Sequence, residues 1–445
     1  MNTERIIVGL DIGTTKVVAV VGKYNEYGNI DILGKGQADS DGVKRGEINN
    51  IDKTVAAIRY AVEEAEKHAN VEINAVHVAI SGEHIRSQQQ KGIITLPDPD
   101  MEICQEDLNR LAADMHRVPI PLGMEILHVL PQEYTVDAQA GIKDPVGMSG
   151  VRLEGNYLIV MAHSNSVRNL ARCIRRAGLE IVELVYAPIA SSYSVLSEEE
   201  KEAGVCLVDM GGGTTDLAIF EDGIIRHTAV IPFGGQVVTE DIKHGCNVMV
   251  RQAELLKTRY GSAKADALAD QEEIITITGL SNRPPKEIRN LTLAHIIQAR
   301  VEELMEFVEQ EINKSGYRSK LVGGIVLTGG TSQLHHISQL VEYVTGIDCR
   351  VGSPSSQFAK GMVAETRYPQ YSTATGLVVY GLQKEATPPA SPEAETRPAR
   401  RKIQQAGGGY RTQLPEADPG SGKLVSRIKN WFESNVTGSN TTTIE

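Results

Sequence analysis

The sequence predicts an α/β protein with a duplicated, two-lobed fold. A strand that ends in Asp, a turn of Gly and Thr, and a second strand occur in residues 5–22, and the same unit returns in residues 204–223. Repetition of one structural unit is typical of a duplicated fold. The segment of about residues 84–162 has a different spacing of strands and helices, and we expect it to be an inserted subdomain.

Length and composition favour a soluble globular protein. The chain has 445 residues, of which 41% are hydrophobic and 23% charged, and this length supports more than one packed lobe. It has no run of eighteen apolar residues and no signal-peptide pattern, so we expect neither a spanning helix nor secretion. Its five cysteines are scattered without a C-x-x-C pair, which argues for a reducing cytoplasm. The net charge of −12 argues against a nucleic-acid surface.

The C-terminal part of the chain differs from the rest. Residues 383–445 carry nine Lys/Arg and seven Asp/Glu, so their net charge is +2 and that of residues 1–382 is −14. Residues 383–421 are rich in Pro, Gly, Ala and charge and have almost no large apolar side chains, which predicts a disordered linker. The folded body should therefore end near Leu382.

Apolar patterns predict the elements of the body. Residues 51–69 form an amphipathic pattern with Val55, Ile58 and Val62 at helical spacing. Further helices are expected near 105–117 and over 291–312. Strands are expected at 5–11, 16–22, about 30–36, 75–81, 156–163, 204–209 and 216–223.

Two turns contain the candidate phosphate-binding residues. In "DIGTTK", glycine lets the backbone approach an anion, and threonine amides and a lysine can hold phosphate oxygens. In "DMGGGTTD", three glycines expose the backbone and two threonines add hydroxyl groups. A lone turn of this kind could be a tight hairpin, but two of them, each after an apolar strand, favour a phosphate site. The candidates are Asp11, Gly13, Thr14, Thr15, Lys16, Asp209, Gly211, Gly212, Gly213, Thr214 and Thr215.

The two aspartates that close the first strands are the candidate metal ligands. Asp11 and Asp209 would face each other across a cleft and hold hydrated Mg²⁺, which keeps several waters and takes few direct carboxylates.

A third Gly-rich turn strengthens this interpretation. In "GGIVLTGGTSQL" (323–334), a strand is followed by Gly329 and Gly330, where a nucleoside could rest, and we expect Thr331 to cap a following helix. No G-x-x-x-x-G-K-[ST] motif occurs, which excludes a P-loop nucleotide site.

With these elements the chain resembles the actin-like ATPase superfamily, and within it the FtsA family of bacterial cell-division proteins. The FtsA resemblance lies in "ILHVLPQEYTVDAQAGIKDPVGMSGVRLEG" (126–155), "GVCLVDMGGGTTDLAIFEDG" (204–223) and "GGQVVTEDIKHGCNV" (234–248). It implies four subdomains, a linker and a terminal helix. The four implied subdomains are residues 1–83 with 163–200 and 361–382, the insertion 84–162, residues 201–240 with 308–360, and the roof over the adenine, 241–307. The implied linker is 383–421 and the implied terminal helix is 422–436.

The resemblance implies ATP and Mg²⁺ between the lobes. Glu254 and Lys257 would bracket the ribose and adenine, although an ordinary (i, i+3) ion pair explains them equally well. In related shape-determining proteins, a Glu-Pro pair opens the first connecting helix, and that Glu helps to position the attacking water. Here Ala187 precedes Pro188. A methyl group cannot do this, so we expect slow hydrolysis at most, and the catalytic residue stays unassigned.

Three function classes share this fold. A small-molecule kinase or a chaperone-like ATPase would need a catalytic Asp with a sugar pocket, or a substrate domain, and the sequence offers neither. The insertion and the tail favour a cytoskeletal adaptor. The FtsA resemblance implies a peripheral protein at the inner face of the cell membrane at the division site.

The resemblance also implies partners. These are the protein itself in actin-like polymers, the C-terminal peptide of the tubulin-like protein FtsZ, other division proteins and an anionic membrane surface. The insertion could supply polymer contacts or could simply pack on the body. In the helix over 291–312, Ile296, Arg300 and Leu304 are the candidate residues for the FtsZ peptide. The alternative is a solvated Arg on a core helix.

The terminal stretch "GKLVSRIKNWF" (422–432) contains the chain's one tryptophan. As a helix it would place its apolar residues within an arc of about 120°, and its length of about 16 Å is too short to span a bilayer. We therefore expect an amphipathic helix that lies in the membrane interface. The alternative is docking on the body or in a partner's groove. The candidate membrane residues are Leu424, Val425, Arg427, Ile428, Lys429, Trp431 and Phe432.

Overall fold

The structure is a computed structural model that describes residues 5–98, 101–270, 273–279, 284–354, 358 and 364–386. The predicted terminal helix and its seven candidate membrane residues, Leu424 to Phe432, lie outside these residues. The predicted linker lies outside them beyond Ala386.

Strands and helices follow one another along the described chain. The first part contains β1 (Ile7–Ile12), β2 (Lys16–Tyr24), β3 (Ile30–Asp39), β4 (Val43–Lys44), β5 (Glu47–Ile48), α1 (Ile51–Ala69) and β6 (Ala75–Ile80). The next contains β7 (Ile85–Thr95), α2 (Gln105–Met115), β8 (Met124–Val136), β9 (Gln139–Ile142) and β10 (Arg152–His163). These are followed by α3 (Ser164–Ala177), β11 (Glu180–Tyr186), α4 (Ala187–Val195) and α5 (Glu198–Ala203).

The second half continues in the same manner. It contains β12 (Val205–Met210), β13 (Thr215–Glu221), β14 (Ile224–Ile231), α6 (Gly235–Cys246), α7 (Val250–Tyr260), β15 (Ile274–Ile277) and β16 (Lys286–Arg289). The last elements are α8 (Asn290–Ser315), β17 (Ile325–Thr328), α9 (Ile337–Thr345), β18 (Cys349–Val351) and α10 (Ser372–Ala386). The strands and helices predicted from the sequence are confirmed, with ends that differ by a few residues.

Two five-stranded sheets have the same topology. The first has the order β3-β2-β1-β6-β11, and the second has the order β14-β13-β12-β17-β18. In both, the three early strands are antiparallel neighbours, and the two later strands join in parallel. The predicted duplication into two lobes is therefore confirmed.

Both faces of the first sheet are buried. In β2, Val17, Ala19 and Val21 pack in the core that includes α1 and α3. The alternate residues, Val18 and Val20, pack against α10 on the other face. Successive side chains of a strand point to opposite faces, so a sheet covered on both sides needs the continuous apolar run that the sequence shows.

The insertion forms its own layer. Its four strands have the order β7-β10-β8-β9, and α2 packs on them around Leu111 and Tyr157. It also contacts the edge strand β14 of the second sheet, where Ser87 Oγ donates to the Thr228 carbonyl at 3.0 Å and Gln132 Nε2 donates to the Ile225 carbonyl. Part of its surface thus packs within the body.

Some expectations about element ends are corrected. Helix α10 continues to Ala386, beyond the expected end of the body at Leu382. The boundaries implied after residues 200 and 307 fall inside α5 and α8, and as subdomain boundaries they stay a prediction. Thr331 does not cap a helix, because it begins a 3-10 turn without a side-chain cap, and its hydroxyl donates instead to the Gly211 carbonyl at 2.9 Å.

Candidate functional site

The predicted turns meet at a cavity of about 440 Å³ between the two sheets. All the candidate phosphate, metal and nucleoside residues line it except Thr215. That residue is fully buried, and its hydroxyl donates to the Phe233 carbonyl at 2.9 Å. Its inclusion was wrong, because Thr215 begins β13, where the side chains of successive residues point to opposite faces.

The two turns have the same backbone hydrogen bond. The Gly13 amide donates to the Lys16 carbonyl at 3.0 Å, and the Gly211 amide donates to the Thr214 carbonyl at 2.9 Å. Among the described residues, the amides between these glycines and their acceptors make no hydrogen bond. They are the amides of Thr14, Thr15, Gly212 and Gly213. Adjacent unpaired amides of this kind can bind an anion.

The turns also touch each other across the cleft. A Cβ on Gly212 would lie 2.4 Å from Cγ2 of Thr15, and a Cβ on Gly213 would lie 2.4 Å from Oγ1 of Thr14. Real side chains do not tolerate such separations, so glycine is required where the lobes meet. The contact brings the two sets of unpaired amides to the same end of the cavity.

Three carboxyl groups in the cavity are costly to ionise. Burial raises the pKa of Asp11 to about 7, with a further contribution from Asp209. Burial also raises the pKa of Asp209 to about 6 and that of Asp216 to about 7. A divalent cation would reverse this preference for the protonated form.

Asp216 was missed from the sequence. It accepts hydrogen bonds from Ser81 Oγ at 2.6 Å and from Thr214 Oγ1 at 2.9 Å. Its other oxygen, Oδ1, is buried without a hydrogen-bond partner among the described residues. A carboxylate with one free oxygen and a pKa near neutrality can accept a proton or orient water. The sequence could have indicated Asp216, because it lies two residues beyond Thr214 and alternate residues of an extended chain point to the same face.

Glu254 and Lys257 form an ion pair that lines the cavity. Lys257 Nζ lies 2.8 Å from Glu254 Oε2 and donates to the Gly235 carbonyl at 3.0 Å. Lys257 is buried. The ion-pair interpretation is confirmed, and the same geometry leaves both side chains facing the space where a ribose or base could lie.

The third turn closes the cavity from the second lobe. Gly329 has a φ of +84°, and a Cβ there would lie 2.5 Å from Asp209 Oδ1. Glycine is therefore required beside this aspartate. A Cβ on Gly330 would meet nothing closer than 3.9 Å, so this residue leaves open space for a ligand.

Several lining residues come from distant parts of the chain and had no local motif. Thr373 Oγ1, at the start of α10, donates to Asp209 Oδ2 at 3.1 Å. Gln37, Ser81 and Gln370 also line the cavity. Ala187 lies on the wall at the start of α4, so the methyl group expected from the sequence does face this space.

The three residues predicted to bind a partner on α8 have different environments in the structure. Leu304 is 1% exposed and belongs to the core of the second lobe, so its assignment to a partner surface was wrong. Ile296 is partly buried against this core. Arg300 is paired with Asp241, including a contact of 3.1 Å from Nη2 to Oδ1, and with Glu303. Its side chain is 32% exposed, so Arg300 is both solvent-accessible and ion-paired on a core helix, and the two interpretations of this residue stay open.

Comparison with known proteins places this site in a family. The family description "Cell division protein FtsA" matches residues 206–376, and "SHS2 domain inserted in FTSA" matches residues 82–161. A Cell division protein FtsA of Pseudomonas aeruginosa is 40% identical over 435 residues, which cover 98% of this chain and 99% of the relative.

The chain belongs to the FtsA family.

Other FtsA proteins support the same conclusion. That of Escherichia coli K12 is 37% identical over 387 residues, covering 85% of this chain and 91% of the relative. That of Borreliella burgdorferi is 39% identical over 378 residues, again covering 85% and 91%. FtsA membership decides among the function classes that the sequence left open. The chain is a cell-division protein, and the kinase and chaperone alternatives are set aside.

Solved structures establish the fold of this FtsA chain as actin-like. A chain of the PilM-PilN type IV pilus biogenesis complex superposes with a TM-score of 0.62 at 18% identity, covering 84% of this chain and 98% of that one. MreB5 of Spiroplasma citri bound to ADP superposes with a TM-score of 0.52 at 14% identity, covering 86% and 99%. At such identities the likeness concerns the fold alone.

Two features are absent from the described part of the chain. No helix there is both long and apolar enough to cross a membrane. No group of three or more His, Cys, Asp or Glu side chains there is arranged to hold a metal ion. A hydrated Mg²⁺ does not need such a group, since it is typically bound by one or two carboxylates together with substrate phosphates.

Substituting Asp216 tests the electrostatics of the cavity. In the nucleotide-free protein, the buried carboxyl stays protonated up to about pH 7, whereas in the unfolded chain it ionises near pH 4. Its contribution to stability is therefore complete below pH 4 and is lost as the pH rises to 7. The melting temperature of Asp216→Asn should rise relative to that of wild type from pH 5 to pH 7, and the difference between the two should then stay constant.

The matched control is Asp222→Asn. Asp222 forms surface ion pairs with Lys143 and Arg226, and Lys143 holds its pKa below the usual value. Asp222 is ionised in both the folded and the unfolded chain above pH 5. The difference in melting temperature between Asp222→Asn and wild type should therefore not change from pH 5 to pH 7. If the two variants behave alike, the assignment of a raised pKa to Asp216 is wrong.

Proposed function

We propose that the chain binds Mg-ATP between its two lobes and, in that form, polymerises on the inner face of the cell membrane and tethers FtsZ filaments there. The observation that carries the nucleotide part is the meeting of two equivalent turns at one cavity. Each turn offers unpaired amides, and each follows a strand whose penultimate residue is an aspartate, Asp11 or Asp209. One phosphate chain could contact both turns at once.

The residues present suit Mg-ATP chemically. The amides of both turns and Lys16 are phosphate ligands, and Asp11 and Asp209 supply carboxylates for a hydrated cation. The pair Glu254–Lys257 and the open space at Gly330 are available to the nucleoside. MreB5 of Spiroplasma citri, which shares the fold, has been solved with ADP and with AMPPNP.

Hydrolysis should be slow. Ala187 presents a methyl group on the cavity wall, so it cannot position water. Asp216 has a buried oxygen without a hydrogen-bond partner among the described residues and is a carboxyl group on the cavity wall that could act on water. ATP would then serve mainly to stabilise a closed arrangement of the lobes.

The subdomain boundaries implied by the resemblance remain part of this proposal. The insertion has exposed apolar side chains, including Ile93, Leu122 and Val146, that are available for contacts between copies. For the FtsZ peptide, Ile296 and Arg300 of α8 remain candidates. An acidic residue of the peptide would have to compete with Asp241 for the Arg300 guanidinium.

The membrane part rests on the sequence of the terminal stretch. Its apolar arc contains Trp431, and its cations would contact anionic lipid. One short helix binds weakly, so polymerisation should strengthen attachment by placing several helices on one surface. Nucleotide binding, polymerisation and membrane attachment are thereby linked.

Co-sedimentation with vesicles tests the tether. The full chain should carry FtsZ into the pellet with anionic phosphatidylglycerol vesicles, and Mg-ATP should increase the amount. Because a charge within the apolar arc opposes insertion, Trp431→Glu should lower vesicle binding about tenfold. Ser434→Glu, beyond the predicted apolar arc, serves as the control for added charge. Equal vesicle binding by Trp431→Glu and wild type would show that the terminal helix is not the membrane anchor.

A further inference from the structure

Tyr371 lies behind the wall of the cavity. It ends the 3-10 turn Pro369–Tyr371, directly before α10. Its side chain is 5% exposed and belongs to the core between α10 and the first sheet. It does not line the cavity, whereas its neighbours Gln370 and Thr373 do.

The ring of Tyr371 holds two ammonium groups. Lys16 Nζ lies 4.5 Å and Lys35 Nζ lies 4.6 Å from the ring centroid. The hydroxyl group donates to Gln37 Oε1 at 2.7 Å and accepts from Lys35 Nζ at 3.2 Å. These hydrogen bonds and the surrounding core hold the ring in place, so the Lys16 ammonium has a fixed aromatic face to lie against.

The two lysines differ in their remaining partners. Lys35 Nζ also forms an ion pair with Glu365 at 2.6 Å. Among the described residues, the Lys16 ammonium makes no hydrogen bond and no ion pair. Lys16 lines the cavity. Its charge is therefore held toward the cavity by an aromatic face, which attracts a cation without neutralising it.

We propose that Tyr371 is a positioning residue that holds the Lys16 ammonium ready for the phosphate oxygens of the bound nucleotide. This inference rests on the proposed nucleotide site and assigns a role within it that no motif in the sequence indicated. A carboxylate in place of the ring would satisfy Lys16 and compete with phosphate. An aliphatic side chain would leave the ammonium free to rotate away.

A double-mutant cycle on the full-length chain separates this role from packing. The affinity for Mg-ATP is measured by calorimetry, at up to millimolar ATP, for wild type, Tyr371→Leu, Lys16→Met and the double variant. Loss of the aromatic face should weaken binding about twofold to thirtyfold when Lys16 is present. In the Lys16→Met background, the same change should leave the affinity within about twofold.

Tyr371→Phe provides the conservative variant. It keeps the aromatic face and should retain most of the affinity that Tyr371→Leu loses. If the leucine variant does not fold, as judged by circular dichroism, Tyr371→Met replaces it in the cycle, because methionine fills a similar space without a ring.

Three outcomes bear on the proposal. Recovery by phenylalanine together with loss of the effect in Lys16→Met supports it. Equal weakening with and without Lys16 would show that the ring acts through packing, and a phenylalanine variant as weak as leucine would assign the effect to the hydroxyl group; either result overturns it. Failure of wild type to bind Mg-ATP would instead overturn the nucleotide site itself.

Discussion

Replacing Asp209 with alanine is expected to weaken Mg-ATP binding by about a hundredfold. Asp209 is the penultimate residue of β12, is 8% exposed and lines the cavity. Its carboxylate is held in place by Thr373 and lies against Gly329. Without it, the cation loses its ligand from the second lobe, and the phosphate charge is no longer balanced there.

This loss should be separable from unfolding. Burial raises the pKa of Asp209 to about 6, so its ionised form is a cost to the nucleotide-free fold at neutral pH. The variant should therefore melt close to the wild-type temperature without nucleotide, while Mg-ATP should no longer raise that temperature. Asp222→Asn, at a surface turn, should bind as wild type does. Unchanged ATP affinity in Asp209→Ala would contradict the assignment.

Replacing Gly376 with alanine is expected to lower the free energy of unfolding by about 1–3 kcal/mol. Gly376 is where α10 crosses α4, and a Cβ there would lie 1.9 Å from the Ala190 carbonyl oxygen. That neighbour is helix backbone and cannot rotate away, so the two helices must separate. The resulting loss exceeds the gain of about 1 kcal/mol that alanine brings to a helix.

Gly245→Ala is the matched control for this substitution. Gly245 is also helical, but its added Cβ would meet Cδ1 of Ile296 at 2.6 Å, and this flexible end can move. Denaturant unfolding should show little loss for Gly245→Ala and a clear loss for Gly376→Ala. Equal stability of the two variants would mean that the crossing tolerates a methyl group.

Features that depend on neighbouring residues could be predicted from the sequence. The turns at Gly13 and Gly211 were visible because strand, turn and strand are contiguous. The duplication was visible because both copies keep the Asp, Gly and Thr. Strand alternation, applied more strictly, would have excluded Thr215 and included Asp216. Helical spacing would have assigned Leu304 to the buried face that it shares with Leu293, Ile297 and Val308.

Features that depend on tertiary contacts could not be predicted. Thr373 reaches Asp209 because α10 returns from the second sheet to pack on the first. Tyr371 meets Lys16 for the same reason. No local pattern marks either residue. Likewise, the pairing of Arg300 with Asp241 depends on how α8 packs beside α6.

One Mg-ATP should bind between the two lobes of each chain. The most direct test is calorimetric titration of the full-length chain with ATP, in the presence of Mg²⁺ and again with EDTA. We expect one ATP per chain and a marked loss of affinity when Mg²⁺ is removed. No binding up to millimolar ATP, or an affinity indifferent to Mg²⁺, would contradict it.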